Sequence, residues 1–63
     1  MIPIAINGAA GRMGRRLVAL ATEDSSLTVV AALEAPQSPA IEQDAGLVAG
    51  VGPLDVPISE RLE

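Results

Sequence analysis

The chain has 63 residues, a formal net charge of −4, and no cysteine, histidine or aromatic residue. A domain of this size buries only about 60% of its unfolded surface, and this one has no disulfide or aromatic core to compensate. We therefore predict a fragment of a longer protein. The acidic balance disfavours nucleic acid and membrane surfaces as partners. Without an export signal or an apolar run of about 20 residues, we expect a cytoplasmic location.

The first predicted element is a strand over residues 2–6. Its apolar run is continuous rather than alternating, which is typical of a parallel strand that is covered on both faces. Pro3 removes one hydrogen-bond donor, which is tolerable near the start of a strand.

A helix is predicted from Gly11 or Arg12 to about Thr22. Its apolar stripe is expected to contain Met13, Leu17, Leu20 and Ala21, with Val18 beside them. Met13 is accordingly expected to pack in the core through its side chain. Arg12, Arg15 and Arg16 fall largely off this stripe, so they concentrate positive charge at the start of the helix.

A turn at residues 24–26 separates this helix from a second predicted strand at residues 27–33, with Glu34 at its carboxyl end. Strand, helix and strand together have the length of one parallel crossover. The predicted fold is therefore α/β, a Rossmann-type parallel β-α-β unit that belongs to a larger doubly wound sheet.

The pattern is weaker after Glu34. Residues 35–39 contain two prolines and predict a loop, and residues 40–52 contain three glycines and predict an ordered loop. Residues 56–58 could form a short edge strand. Ser59 resembles the N-cap of a further helix.

Three glycines, Gly8, Gly11 and Gly14, connect the first strand to the helix. In a nucleotide site the first allows a sharp turn, the second allows close approach of a pyrophosphate, and the third allows close packing of the helix. Their spacing is Gly-x-x-Gly-x-x-Gly, which differs from the commonest dinucleotide fingerprint and from a Walker loop. A plain structural turn is the alternative.

Glu34 strengthens the nucleotide interpretation because it lies 20 residues after Gly14, at a strand end. A carboxylate at this place accepts hydrogen bonds from the ribose hydroxyls of a dinucleotide. Strand, glycines, helix, strand and acid in this order predict a dinucleotide site.

The segment Gly8-Ala9-Ala10-Gly11-Arg12-Met13-Gly14-Arg15 resembles the N-terminal fingerprint of the dihydrodipicolinate reductase family. Residues 31–34 and 43–46 are similar to that family's second strand and the loop after it. The resemblance extends from Ile4 to about Leu62. It implies that the parent protein is a reductase of lysine and diaminopimelate biosynthesis and that it forms a homo-oligomer.

The resemblance also implies which residues bind the cofactor. The turn would hold the pyrophosphate and Glu34 the ribose, so the predicted cofactor-binding residues are Gly8, Ala9, Ala10, Gly11, Arg12, Met13 and Glu34. The family's catalytic His and Lys lie in a later domain, and this chain contains neither. We therefore predict no catalytic residue here, and no activity for residues 1–63 alone, which would form the N-terminal part of a dinucleotide-binding domain.

The choice between NADH and NADPH depends on the residue after Glu34. Family members that accept NADPH readily tend to have a cation there, whereas this chain has Ala35. Since Glu34 would repel a 2′-phosphate, we favour NADH over NADPH, although Arg12 could relieve the repulsion.

There are two alternative functions, an extended short-chain dehydrogenase, which shares the glycine spacing, and a non-catalytic nucleotide-binding module. An extended short-chain dehydrogenase would have a Tyr-x-x-x-Lys motif downstream, and a non-catalytic nucleotide-binding module would have no catalytic His or Lys in the whole protein. We interpret Glu42, Asp44 and Asp55 as solvated loop acids, and predict no metal site because further ligands at suitable spacing are missing.

Overall fold

The computed structural model describes residues 1–60 and contains one three-stranded parallel sheet. Its elements, in chain order, are β1 (Ile2–Asn7), α1 (Arg12–Glu23), β2 (Leu27–Glu34), α2 (Ala45–Ala49) and β3 (Ile58–Glu60). The sheet order is β1-β2-β3. The predicted Rossmann-type β-α-β unit is confirmed, and β1, α1 and β2 each lie within one residue of their predicted bounds.

The pairing of β1 with β2 contains one irregularity. Ile4 lies opposite Val29, but the next residue, Ala5, lies opposite Ala31. Val30 is therefore an extra residue in β2, and its side chain is exposed. A bulge of this kind bends the strand and increases its local twist.

One face of the sheet carries the core. Val18 and Ile58 are its largest fully buried side chains, and Ile6 and Ala32 join them from the two longer strands. On the opposite face Ala5 and Val30 are exposed, so residues 1–60 cover one face of β1 and β2, and the covering of the second face stays a prediction.

The buried face of α1 consists of Gly14, Val18 and Ala21. The predicted stripe was therefore correct for Ala21 and Val18 but wrong for its three largest members. Met13 is 64% exposed, and the predicted core contact of its side chain is wrong; Leu17 and Leu20 are also largely exposed.

Gly14 explains this rotation of α1. A Cβ atom at Gly14 would overlap the carbonyl oxygen of Gly8 and would lie 2.8 Å from the Cα of Ala9. The helix therefore sits with its glycine directly against the turn after β1. Val18 and Ala21, one and two turns further on along the same face, are the side chains that α1 then buries against the sheet.

Residues 40–52 are more ordered than predicted, because α2 forms inside them. Asp44 is its N-cap, and Gly50 ends it in the left-handed conformation at φ 78°. The helix has only five residues, too few for a helical period to be visible in the sequence.

Asp44 is also not the solvated loop acid that we predicted. Its half-buried carboxylate accepts hydrogen bonds from the backbone N–H groups of Leu47, Leu54 and Val56, at 3.0, 2.9 and 2.9 Å. These bonds, that of Leu54 above all, hold the pKa of Asp44 below its usual value. The residue fastens α2 to the segment that leads into β3.

We expect Asp44 to make the fold sensitive to acid. Because its pKa is lower in the folded state, its stabilisation is present above the pKa of the unfolded chain, about 4, and is lost as the pH falls through the folded value. Urea unfolding of the full-length protein between pH 7 and pH 3 should show this loss, and Asp44→Asn should reduce it. Asp55→Asn, an exposed acid in the same segment, is the control; identical pH profiles for wild type and Asp44→Asn would contradict the prediction.

The last strand is displaced from its prediction. An edge strand was expected at residues 56–58, whereas β3 is Ile58–Glu60 and pairs with the end of β2. Ser59 lies within this strand, opposite Leu33, so its interpretation as a helix N-cap is wrong. The remainder of that predicted helix falls on residues 61–63, outside the described residues.

Candidate functional site

The turn between β1 and α1 is built around the carboxyl end of β2. Gly8 adopts the left-handed conformation at φ 75°, as its predicted role in a sharp turn requires. The N–H groups of Gly8 and Ala9 both donate to the carbonyl oxygen of Leu33, at 2.8 and 3.1 Å. The turn is thereby fixed to the sheet edge at which α/β proteins bind their ligands.

The start of α1 faces outward from this turn. Its N-cap is Gly11, which provides no side-chain acceptor for the first N–H groups of the helix, and the first turn contains no acidic residue. These N–H groups and the helix dipole together make a positive site. Arg12, Arg15 and Arg16 are exposed around it and add positive charge.

Glu34 lies directly beside the glycine turn. Its half-buried carboxylate accepts a hydrogen bond from the N–H of Ala10 through Oε2, at 2.8 Å, and one from its neighbour Ala35 through Oε1, at 3.2 Å. The structure thus brings the predicted ribose acceptor and the predicted phosphate-binding turn to the same place.

Several N–H groups of the turn are already used within the chain. Those of Gly8 and Ala9 are bound by Leu33, that of Ala10 by Glu34, and that of Gly11 by the carbonyl oxygen of Gly8 at 3.0 Å. Ala9 is 1% exposed, so its side chain is not accessible to a ligand. An anion at this edge would therefore meet the backbone of Arg12 and Met13 at the start of α1.

A cavity of about 330 Å³ in residues 1–60 lies away from the glycine turn. It is lined by residues at the end of α1 and the beginning of β2, among them Thr22, Leu27 and Thr28, and by none of the predicted cofactor-binding residues.

Residues 1–60 contain neither a membrane-spanning helix nor a cluster of metal ligands. No helix in this part of the chain has the length and apolarity that a membrane crossing requires. Nor does this part bring together three or more His, Cys, Asp or Glu side chains that could hold a metal ion.

A match to a known family covers nearly the whole chain. The N-terminal part of dihydrodipicolinate reductase matches residues 2–63. The 4-hydroxy-tetrahydrodipicolinate reductase of Syntrophotalea carbinolica is 56% identical over 63 residues, which are 100% of this chain and 24% of the relative. The reductase of Beijerinckia indica is 54% identical over 59 residues, which are 94% of this chain and 22% of the relative. The reductase of Methanobrevibacter smithii is 48% identical over 65 residues, which cover 100% of this chain and 24% of the relative.

The chain therefore belongs to the dihydrodipicolinate reductase family, and matches its N-terminal part. The resemblance seen in the glycine turn is confirmed, and it decides against the short-chain dehydrogenase alternative. The chain spans about a quarter of the length of the curated relatives it matches.

Proposed function

We propose that the protein is a 4-hydroxy-tetrahydrodipicolinate reductase of lysine and diaminopimelate biosynthesis, and that residues 1–63 belong to its cofactor-binding domain. The observation that carries the proposal is the contact of Glu34 with the glycine turn at the carboxyl edge of the sheet. The family name of the relatives supports an oxidoreductase that uses a nicotinamide dinucleotide.

The residues of the turn suit the pyrophosphate of such a cofactor. Gly11 has no side chain, and a Cβ atom there would meet only the carbonyl oxygen of Gly8, at 3.3 Å, so the space above the turn is open. The uncapped start of α1 offers N–H groups to an anion, and Arg12 adds its charge. In this proposal the backbone of residues 8–13 forms the cradle, with Arg12 and Met13 as its free donors.

Glu34 suits the adenosine ribose. Each of its oxygens accepts one backbone N–H and keeps acceptor capacity for a hydroxyl group. When bound, the nicotinamide ring supplies the hydride for the reduction. This chain contains no His or Lys to transfer a proton, so we propose that the groups that bind and protonate the substrate lie in a different domain.

We also propose NADH as the preferred cofactor. A 2′-phosphate would face the half-buried carboxylate of Glu34, and Ala35 supplies no cation to offset the repulsion.

The test is a reductase assay of the full-length protein with dihydrodipicolinate and either cofactor. We expect turnover, with a higher kcat/KM for NADH than for NADPH. Ala35→Arg should improve NADPH binding by about 1–3 kcal/mol, the scale of a hydrogen bond to a charged group.

Gln37→Arg is the matched control, since it adds the same charge to an exposed position two residues further along the loop. It should leave the cofactor preference as it is. Absence of turnover would contradict the proposed activity, and a wide preference of the wild type for NADPH would contradict the role given to Glu34 and Ala35.

A further inference from the structure

The end of β2 binds three consecutive N–H groups of the glycine turn. The carbonyl oxygen of Leu33 accepts from Gly8 and Ala9, and the Glu34 carboxylate accepts from Ala10 at 2.8 Å. Two adjacent residues of one strand therefore set the backbone path of the turn. Leu33 does so with its main chain, which any residue could supply, but Glu34 does so with its side chain.

The contact of Glu34 requires both its charge and its length. Oε1 is held by the N–H of Ala35 while Oε2 reaches Ala10, so the carboxylate is fixed at two points and cannot easily turn away. Asp keeps the charge but is one methylene shorter, while β2 is held in register with β3 at Glu34. Gln keeps the length but has only one acceptor oxygen for two donors.

We propose that Glu34 is a positioning residue for the phosphate-binding turn, in addition to the ribose contact that the family resemblance implies. Its carboxylate keeps the N–H of Ala10 bound before and after the cofactor binds, so the turn is preformed. The pyrophosphate is then bound by the N–H groups at the start of α1. This inference rests on the proposed cofactor site.

The proposal also explains how a carboxylate could select a 2′-hydroxyl. A free side chain would rotate away from a 2′-phosphate at small cost, whereas a carboxylate held by two backbone donors must stay and repel it. The tether to Ala10 would thus contribute to the preference for NADH as well as to the shape of the turn.

Hydrogen exchange of the backbone amides, followed by NMR in the full-length protein, tests the tether directly. In the cofactor-free protein, Glu34→Asp should speed exchange at Ala10 by about tenfold, the scale of one lost hydrogen bond, while Gly8 and Ala9 keep their protection. NADH affinity should fall by a similar factor, the loss of urea stability should not exceed that factor, and NADPH affinity should not improve. Glu34→Gln should also speed exchange at Ala10 but improve NADPH binding relative to NADH, because it removes the charge.

Glu23→Asp is the matched control, because it shortens a side chain by the same methylene at an exposed position at the end of α1. It should change neither the exchange rate at Ala10 nor the affinity for NADH. Unchanged exchange at Ala10 in Glu34→Asp would overturn the proposal. So would loss of protection at Ala10 when NADH is added to the wild type, because Glu34 would then release the turn on binding. If the wild type bound no dinucleotide, the proposed function would fail, whereas exchange in the cofactor-free protein would still decide whether the tether exists.

Discussion

Replacing Gly14 with alanine is expected to lower the free energy of unfolding by about 2 kcal/mol or more. The new Cβ would overlap the carbonyl oxygen of Gly8 and lie 2.7 Å from the Gly8 carbonyl carbon. These are backbone atoms and cannot rotate aside, so α1 would have to move off the sheet. The better helix propensity of alanine, about 1 kcal/mol, offsets only part of this cost. Urea unfolding of the full-length protein measures the difference.

Gly11→Ala provides the matched control for this variant. It makes the same chemical change three residues earlier, where the backbone has an ordinary φ of −76° and a Cβ atom would lie 3.3 Å from its nearest neighbour. Its free energy of unfolding should fall by much less than that of Gly14→Ala, because the contact with the Gly8 carbonyl oxygen requires only a small shift and the change of N-cap residue is a modest cost. Equal stabilities for Gly14→Ala and Gly11→Ala would contradict the close packing of α1 on the turn.

Gly11→Val is expected to abolish dinucleotide binding in a protein that still folds. The backbone conformation at Gly11 is one that valine adopts readily. Its branched side chain would, however, cover the start of α1, where we place the pyrophosphate. We expect NADH affinity to fall by about 100-fold or more, which corresponds to about 2.7 kcal/mol. Isothermal titration calorimetry of the full-length protein with NADH gives this number.

Ser25→Val introduces the same side chain in the exposed turn before β2, at the opposite end of the sheet. This control should bind NADH like the wild type. Unchanged NADH affinity in a folded Gly11→Val protein would contradict the proposed position of the pyrophosphate at the glycine turn.

The framework of the fold was predictable because its signals are local. A continuous apolar run, three glycines, a helical period and a second apolar run each report on their own segment, and the resulting β1, α1 and β2 are confirmed. The rotation of α1 was not predictable from the same signals. Hydropathy favours Leu17 and Leu20 as core residues, but the close contact between Gly14 and Gly8 turns that side of the helix outward.

The segment after β2 was harder to predict because its structure depends on contacts between distant residues. Asp44 binds backbone groups ten and twelve residues further along the chain, which no local pattern shows. Its position just before Ala45 is, however, a usable N-cap signal for α2. For Ser59 the local signal was misleading. The residue is suited to a helix N-cap, but it lies in β3 because that strand pairs with the end of β2.

Within the candidate site, spacing alone located Glu34 at the end of β2, next to the glycines. It did not predict that the carboxylate reaches the turn, because this depends on the direction of the side chain from the strand. That direction is decided four residues earlier, at Val30.

Successive side chains of a strand point to opposite faces of the sheet. The face that Glu34 occupies therefore depends on the number of residues between it and a residue of the same strand that packs against the core. Val29 packs against the core, and unbroken alternation from it would place Glu34 on the opposite face. The extra residue Val30 reverses the count, so that Ala32 is buried and Glu34, two residues later, points to the side of the glycine turn. A single inserted residue in the middle of a strand thus determines whether the carboxylate at its end belongs to the site.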